Sequence, residues 1–187
     1  MNVLLPIRDP SLAKTRLGEG VDEQGRQRIY RKLVNRTVDV IQNHASDFTV
    51  YLMCPEPEQE AWGDLPNVAW IDDTHPGHLA RGITQALESW EPPALVLMPD
   101  LPLLSANDLS ATLKQTSDLV WIPDRSGRGT NGLIWRSGSL PYLAFGRADS
   151  MRVHLNATRA PRLYRKGLAW DLDVPADLVG LPEGEYR

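Results

Sequence analysis

Residues 94–97 read Ala-Leu-Val-Leu, an apolar run with no polar residue alternating through it. A strand with one wet face alternates. A strand with no alternation is covered on both faces, as in parallel sheets flanked by helices. Similar short runs recur along the chain: "NVLLPI" (2–7), "FTVYLMC" (48–54), "NVAWID" (67–72), "ALVLM" (94–98), "DLVWIP" (118–123) and "NGLIW" (131–135). Helical patterns lie between them. From Asp22 to about His44, the residues Ile29, Leu33, Thr37, Val40 and Ile41 recur at three-to-four spacing. Residues 78–90 place Leu79, Ile83, Ala86, Leu87 and Trp90 on one face, 105–115 open on a Ser105 cap, and 149–159 read as another helix. A further short strand is expected at "RLYR" (162–165) and a helical turn near the end of "WDLDVPADLVGL". Strand and helix alternating in this way predict an α/β fold, a three-layer α/β/α sandwich around a mostly parallel, Rossmann-like sheet.

The 187 residues suit one domain, 1–187. A net charge of -4 argues against an extended nucleic-acid-binding surface, although 20 Lys and Arg leave room for a local basic pocket. The single cysteine, Cys54, excludes an internal disulfide and a multi-thiolate zinc site. The N-terminus shows no positive leader, and no run approaches the ~18 apolar residues of a membrane span, so a cytoplasmic protein is expected.

Asp100 closes "ALVLMPD" between two prolines. It is either a turn-starting aspartate or a ligand group at the carboxyl end of a strand, where open α/β sheets keep their ligands. Asp171 and Asp173 point to one side if their segment is extended, and like charges so placed repel unless a cation lies between them. Hard oxygen donors of this kind suit Mg²⁺; the alternative is a pair of solvated turn acids. The loop after the first strand carries Arg8, Lys14 and Arg16, a phosphate cradle or simply an exposed basic loop. A Lys14 clamp would favour the charge that builds on an attacked phosphorus. "PDRSGRGTNGL" (123–133) reads as a close-approach ligand loop or a hairpin connection, and "AFGRADSMRVH" (144–154) as an anion site or an ordinary helix cap. There is no Walker signature, no G-x-G-x-x-G after a strand and no G-x-S-x-G elbow. The histidines His44, His75, His78 and His154 lack metal-like spacing and are expected at the surface; the tryptophans are expected to pack.

Taken in order, "AKTRL", "MPDLPLL", "PDRSGRGTNGL", "AFGRADSMRVHL" and "LAWDLDVPADL" resemble the CofC family, the guanylyltransferases of deazaflavin coenzyme F-420 biosynthesis, over about residues 3–181. The first two motifs are shared with the wider nucleotidyltransferase superfamily, including molybdenum-cofactor cytidylyltransferases; the last three are more particular. The resemblance implies a nucleotide-diphospho-sugar transferase type of fold. It also implies GTP and a small phosphorylated three-carbon acid as substrates: 2-phospholactate, phosphoenolpyruvate or 3-phosphoglycerate. It assigns Mg²⁺ to Asp100, Asp171 and Asp173 and the acid's phosphate and carboxylate to Thr130, Gly146 and Ser150; with it, catalytic roles are expected for Asp100 and Lys14 and nucleotide contacts for Pro6, Arg8, Lys14 and Arg16, and for Arg81 as a departure that hints at an altered base or a different acid. The chain departs from the family pattern in three places. Arg8 replaces a lysine, and a forked guanidinium is not an ammonium. "FGRADS" is one residue longer than F-G-x-x-S, which sets Asp149 against Ser150 for the serine's place. Ala80 and Arg81 stand where G-L-N would supply an asparagine. The alternatives are another nucleotidyltransferase, or a non-catalytic nucleotide-binding homologue. A homodimer is left open.

Overall fold

The computed structural model describes residues 1–44, 47–63 and 65–181; of the expected domain, residues 45–46, 64 and 182–187 lie outside the described ones. One sheet holds six strands: β1 (Asn2–Pro6), β2 (Thr49–Cys54), β3 (Val68–Asp72), β4 (Ala94–Leu97), β5 (Leu119–Pro123) and β6 (Thr130–Trp135), in the order β3-β2-β1-β4-β6-β5. The helices are α1 (Glu23–His44), α2 (Glu56–Gln59), α3 (Leu79–Glu88), α4 (Ala106–Leu113), α5 (Ser150–Thr158) and α6 (Lys166–Ala169). Successive strand residues serve opposite layers. Val3 and Leu5 of β1 pack with Tyr30, Val34, Val38 and Ile41 of α1 and Leu109 of α4. Leu4 packs on the other face with Ile83, Ala86 and Leu87 of α3 and Met151 of α5. Both faces are covered, which is why the strands read as unbroken apolar runs. Ser105 caps α4 in a reciprocal box with Asp108, whose carboxylate accepts the Ser105 N–H at 3.1 Å.

Four strands, β3, β2, β1 and β4, are mutually parallel, whereas β6 runs antiparallel to both β4 and β5. The reversal follows from loop length. Only residues 124–129 separate β5 from β6, about half the dozen or so that a parallel crossover needs. The glycine loop is therefore a hairpin connection, with a register shift at Ile122/Pro123.

Two local expectations are corrected. "RLYR" forms no strand: it makes a single bridge, Trp121 to Arg162, flanked by Trp121 N–H to the Pro161 carbonyl (2.9 Å) and Leu163 N–H to the Trp121 carbonyl (2.8 Å). Pro161 has no N–H with which to extend a ladder, and α6 begins at Lys166. The first loop is not irregular throughout. It holds two 3₁₀ turns, Pro10–Leu12 and Thr15–Glu19, the first capped by Asp9.

Candidate active site

The parallel strands end at one edge of the sheet, and several segments converge there. The first loop is pinned from below: Arg26 of α1 donates to the Ala13 carbonyl at 2.9 Å, and Leu17 sits in a small core with Ile29, Leu33 and Leu172. Between these anchors Lys14 adopts a left-handed backbone, φ 53° and ψ 36°. A non-glycine residue there costs about 1 kcal/mol or more, a cost that folds tend to retain at functional positions. The distortion aims Lys14 inward. Its side chain is 7% exposed, its ammonium donates to Asp100 Oδ2, and it reaches Asp173 Oδ1 at 2.9 Å. Burial alone would lower the Lys14 pKa, but the Asp100 and Asp173 carboxylates outweigh it and hold the pKa above the ordinary lysine value.

Three ties bring the D-x-D segment to this point. The Leu172 N–H bonds the Asp100 carbonyl at 3.1 Å. Asn131 of β6 donates its side-chain amide to the carbonyls of Leu168 and Ala169, both at 3.2 Å, and so fixes the approach to Asp171. Asp177, 2% exposed, accepts the N–H groups of Asp173 (2.7 Å) and Val174 (2.9 Å), and its other oxygen pairs with Arg125 at 2.6 Å. Burial works to raise the Asp177 carboxyl; those N–H groups and Arg125 together bring it below the usual range. Arg125 in turn lies over the Trp170 ring, 4.9 Å from its centroid, so the hairpin loop and the D-x-D segment are clamped to each other.

The carboxylates are crowded. Burial, then the nearby Asp100 and Asp173 charges, push Asp171 up to about 6. Asp100 Oδ1 is buried without a hydrogen-bond partner. Among the described residues no group of three or more His, Cys, Asp or Glu side chains stands ready to hold a metal ion, and the position between Asp100 and Asp173 is filled by the Lys14 ammonium. An orphaned buried carboxylate oxygen, a carboxyl raised by its neighbours and an all-oxygen donor set are groups of the kind that suit a hard divalent cation, in a place that the Lys14 ammonium holds here.

A second cluster starts where β6 begins. The Asn131 carbonyl accepts the Met98 N–H at 2.8 Å, which puts Thr130 beside the end of β4 that carries Asp100. Thr130 and Ser150 are both buried, with their hydroxyls 2.9 Å apart, and Thr130 Oγ1 lies 3.0 Å from His154 Nδ1. Of the two residues set against each other by the longer loop, Ser150 is the one whose hydroxyl faces Thr130. Asp149 turns aside, its carboxylate paired with Arg147 at 3.1 Å and with Arg152. Gly146 opens this stretch with a φ of +85°, a conformation that favours glycine, and a side chain there would meet Leu79 at the start of α3. His154 is not at the surface as expected but fully buried, stacked on Trp121 with centroids 3.9 Å apart. Its place on the inner face of α5, four residues after Ser150, was the available signal.

The remaining expected residues are spread along the rim. Pro6 is buried at the end of β1. Arg8 is exposed and lends its carbonyl to Trp62 Nε1 at 3.2 Å. Arg16, also exposed, stands 3.6 Å from Asp173. Arg81 is exposed in the first turn of α3, and its side chain has no polar contact with either cluster. The basic loop is thus solvated at Arg8 and Arg16 but not at Lys14. Asp177, the Arg125–Asp177 clamp and His154 were not singled out from the sequence as site residues.

A sheet whose strand ends gather a buried lysine, several aspartates and a hydroxyl cluster has the form of a nucleotidyltransferase. Solved structures share the architecture. A Desulfovibrio desulfuricans protein described as a nucleotide-diphospho-sugar transferase matches with a TM-score of 0.72 at 19% identity, over 95% of this chain and 84% of that one. A nucleotidyl transferase from Methanothermobacter thermautotrophicus matches at 0.58 and 11%, over 95% and 94%. The family is narrower. Residues 1–168 match the model of the CofC-like guanylyl transferases, and the chain belongs to that family. Its relatives include the phosphoenolpyruvate guanylyltransferases of Chloroflexus aggregans (32% identical, covering 92% of each chain) and Rubrobacter xylanophilus (32%, covering 95% and 91%). The 2-phospho-L-lactate guanylyltransferase of Methanosarcina barkeri is 25% identical over 97% of this chain and 86% of its own. The cytidylyltransferase alternative is not favoured.

Proposed function

We propose that the protein transfers GMP from GTP to the phosphate of a small phosphorylated three-carbon acid, releasing pyrophosphate, as a step in coenzyme F-420 biosynthesis. Phosphoenolpyruvate is the first acid to test, because the relatives at 32% identity carry that name. A phosphate oxygen of the acid attacks the α-phosphorus of GTP; the new P–O bond forms as the bond to the bridging oxygen breaks, and pyrophosphate carries that electron pair away. The attacking phosphate is already ionised at neutral pH, so no general base is required, and the work is positioning and charge neutralisation.

The observation that carries this reading is the Lys14 ammonium held between Asp100 and Asp173 in a chain of this family. Lys14 would leave the carboxylates for the α-phosphate as the nucleotide enters, with Pro6, Arg8 and Arg16 lining the triphosphate and Arg81 reaching toward the base. Thr130, Gly146 and Ser150 would hold the acid. Mg²⁺, held by Asp100, Asp171 and Asp173, would neutralise phosphate charge and align the attack. Free nucleotide and phosphorylated acid as substrates agree with a cytoplasmic setting, and among the described residues no helix is long and apolar enough to cross a membrane. The test is pyrophosphate release from GTP, ATP, CTP and UTP, each offered with the three acids and Mg²⁺. GTP-selective release that depends on one acid is expected. Release that is indifferent to the acid, or absent throughout, would overturn the reading.

A further inference from the structure

His154 sits on α5 with Trp121 stacked on one ring face at an interplanar angle of 4° and Phe145 packed beside it, tilted, with centroids 5.3 Å apart. The Trp121 indole is itself tied back, donating to Thr158 Oγ1 at 2.9 Å, while the Thr158 hydroxyl donates to the His154 carbonyl at 3.0 Å. The ring cannot turn without breaking this packing. Its Nε2 lies 2.7 Å from the Ala144 backbone nitrogen. A backbone amide only donates, so Nε2 must offer a lone pair, and the neutral ring then carries its hydrogen on Nδ1. That hydrogen points at Thr130 Oγ1, 3.0 Å away.

The tautomer has a consequence for the two hydroxyls. Thr130 Oγ1 accepts from the ring, so neither the Thr130 nor the Ser150 hydrogen is spent on the histidine. One hydroxyl donates to the other across 2.9 Å, and whichever does so, one hydrogen is left over. With the opposite tautomer Thr130 would donate to the ring and Ser150 to Thr130, and no hydrogen would remain. The hydroxyl pair would then face its ligand with lone pairs, which an anion avoids. We infer that His154 is a positioning residue that makes the Thr130–Ser150 pair a net hydrogen-bond donor toward the anionic end of the phosphorylated acid; this rests on the proposed function. Burial, which pushes His154 down to about 4, keeps the ring neutral and the hydrogen in place through the working pH range. Thr130 and Ser150 are 8% and 1% exposed, so the pair lies beneath the surface and its geometry is set by packing rather than by solvent.

The inference is tested first on the unaltered protein. Long-range ¹H–¹⁵N correlation of labelled histidines should show His154 with its hydrogen on Nδ1, unchanged between about pH 6 and pH 8. A hydrogen on Nε2, or a doubly protonated ring, would overturn it and needs no variant that might misfold. The kinetic arm is His154→Gln. The KM for the acid should rise roughly 10-fold, the size of a hydrogen bond to a charged group, while the KM for GTP stays within about twofold. Equal changes in both constants, or none in either, would reduce His154 to a packing residue. If the unaltered enzyme shows no acid-dependent GMP transfer while the Nδ1 hydrogen is found, the proposed function has failed and takes the role in acid binding with it; the tautomer stands.

Discussion

Two clusters share the end of β4 and are built on opposite principles. Around Lys14 the groups are charged and over-supplied with acid: a carboxyl raised to about 6, an unpartnered buried oxygen and a lysine on a left-handed backbone. Around His154 the groups are neutral, and every ring nitrogen has its partner. The first arrangement stores repulsion that only a cation can relieve, and incoming phosphates would compete with the carboxylates for Lys14, so it is expected to rearrange on loading. The second is organised before any ligand arrives, with its ring locked by stacking. Under the proposed function, the nucleotide side of the reaction would depend on charge being moved, and the acid side on hydrogens being held still.

The comparison can be broken at its sharpest point with Asp100→Ala. Turnover should fall by about 10²-fold or more, the scale of losing a key electrostatic group, with little change in melting temperature, since the variant also removes the orphaned oxygen. A folded variant with near-full pyrophosphate release would take Asp100 out of the site. Lys14→Met should also cost about 10²-fold, and it leaves Asp100 and Asp173 without their shared cation. Its melting temperature should drop and then recover with added Mg²⁺ in the absence of nucleotide, more than the unaltered protein's rises. No difference between the two responses to Mg²⁺ would count against metal binding at these acids.

A smaller effect is expected at the clamp between the two regions. Arg125→Ala frees Asp177, which orients the D-x-D backbone, and should lower turnover about 10-fold, roughly the value of a charge-assisted bond. Combining it with Asp177→Asn should add much less than the product of the single effects; full multiplicativity would mean that the pair does not act as a unit. The mildest test uses pH. With no divalent ion present, the folded Asp171 binds a proton more tightly than its unfolded counterpart, so it favours folding at low pH and that benefit is lost as pH rises from about 4 through about 6. His154 has the opposite sign. The unfolded ring takes up a proton below about 6.5, the folded ring only near 4, so stability falls as pH drops through that window. Asp171→Asn should therefore raise the melting temperature most at neutral pH, and His154→Gln should flatten the decline on the acid side. Parallel curves for all three proteins would remove the electrostatic distinction between the clusters.

Much of this was legible in the residues. The unalternating runs at 2–7, 48–54 and 94–98 announced a sheet covered on both faces, and Ser105 announced the start of α4, because each rests on local pattern. The short 124–129 connection already held the reversal of β6, although the alternation of strand and helix favoured a parallel reading. The convergence of Lys14 with Asp100 and Asp173 could be suspected from charge and motif, but not the ammonium occupying the gap itself, since that depends on a single backbone angle at Lys14. His154 was misplaced for a related reason. One histidine on an amphipathic helix reads the same whether it faces water or an indole, and only the packing of Trp121 from a distant strand decides. "RLYR" has strand-like composition, yet pairing needs donors in register, and the proline before it withholds one.

The turning back of β6 has a consequence for how such a site can diversify. Asp100 sits where the chain is leaving the sheet, whereas Thr130 sits where the chain is entering it, and the two meet at one rim only because the hairpin reverses direction. The segments around Asp100 and Thr130 thus hang from different connections and can lengthen or shorten separately. The extra residue between Gly146 and Ser150 falls on one of these connections and not on the first loop.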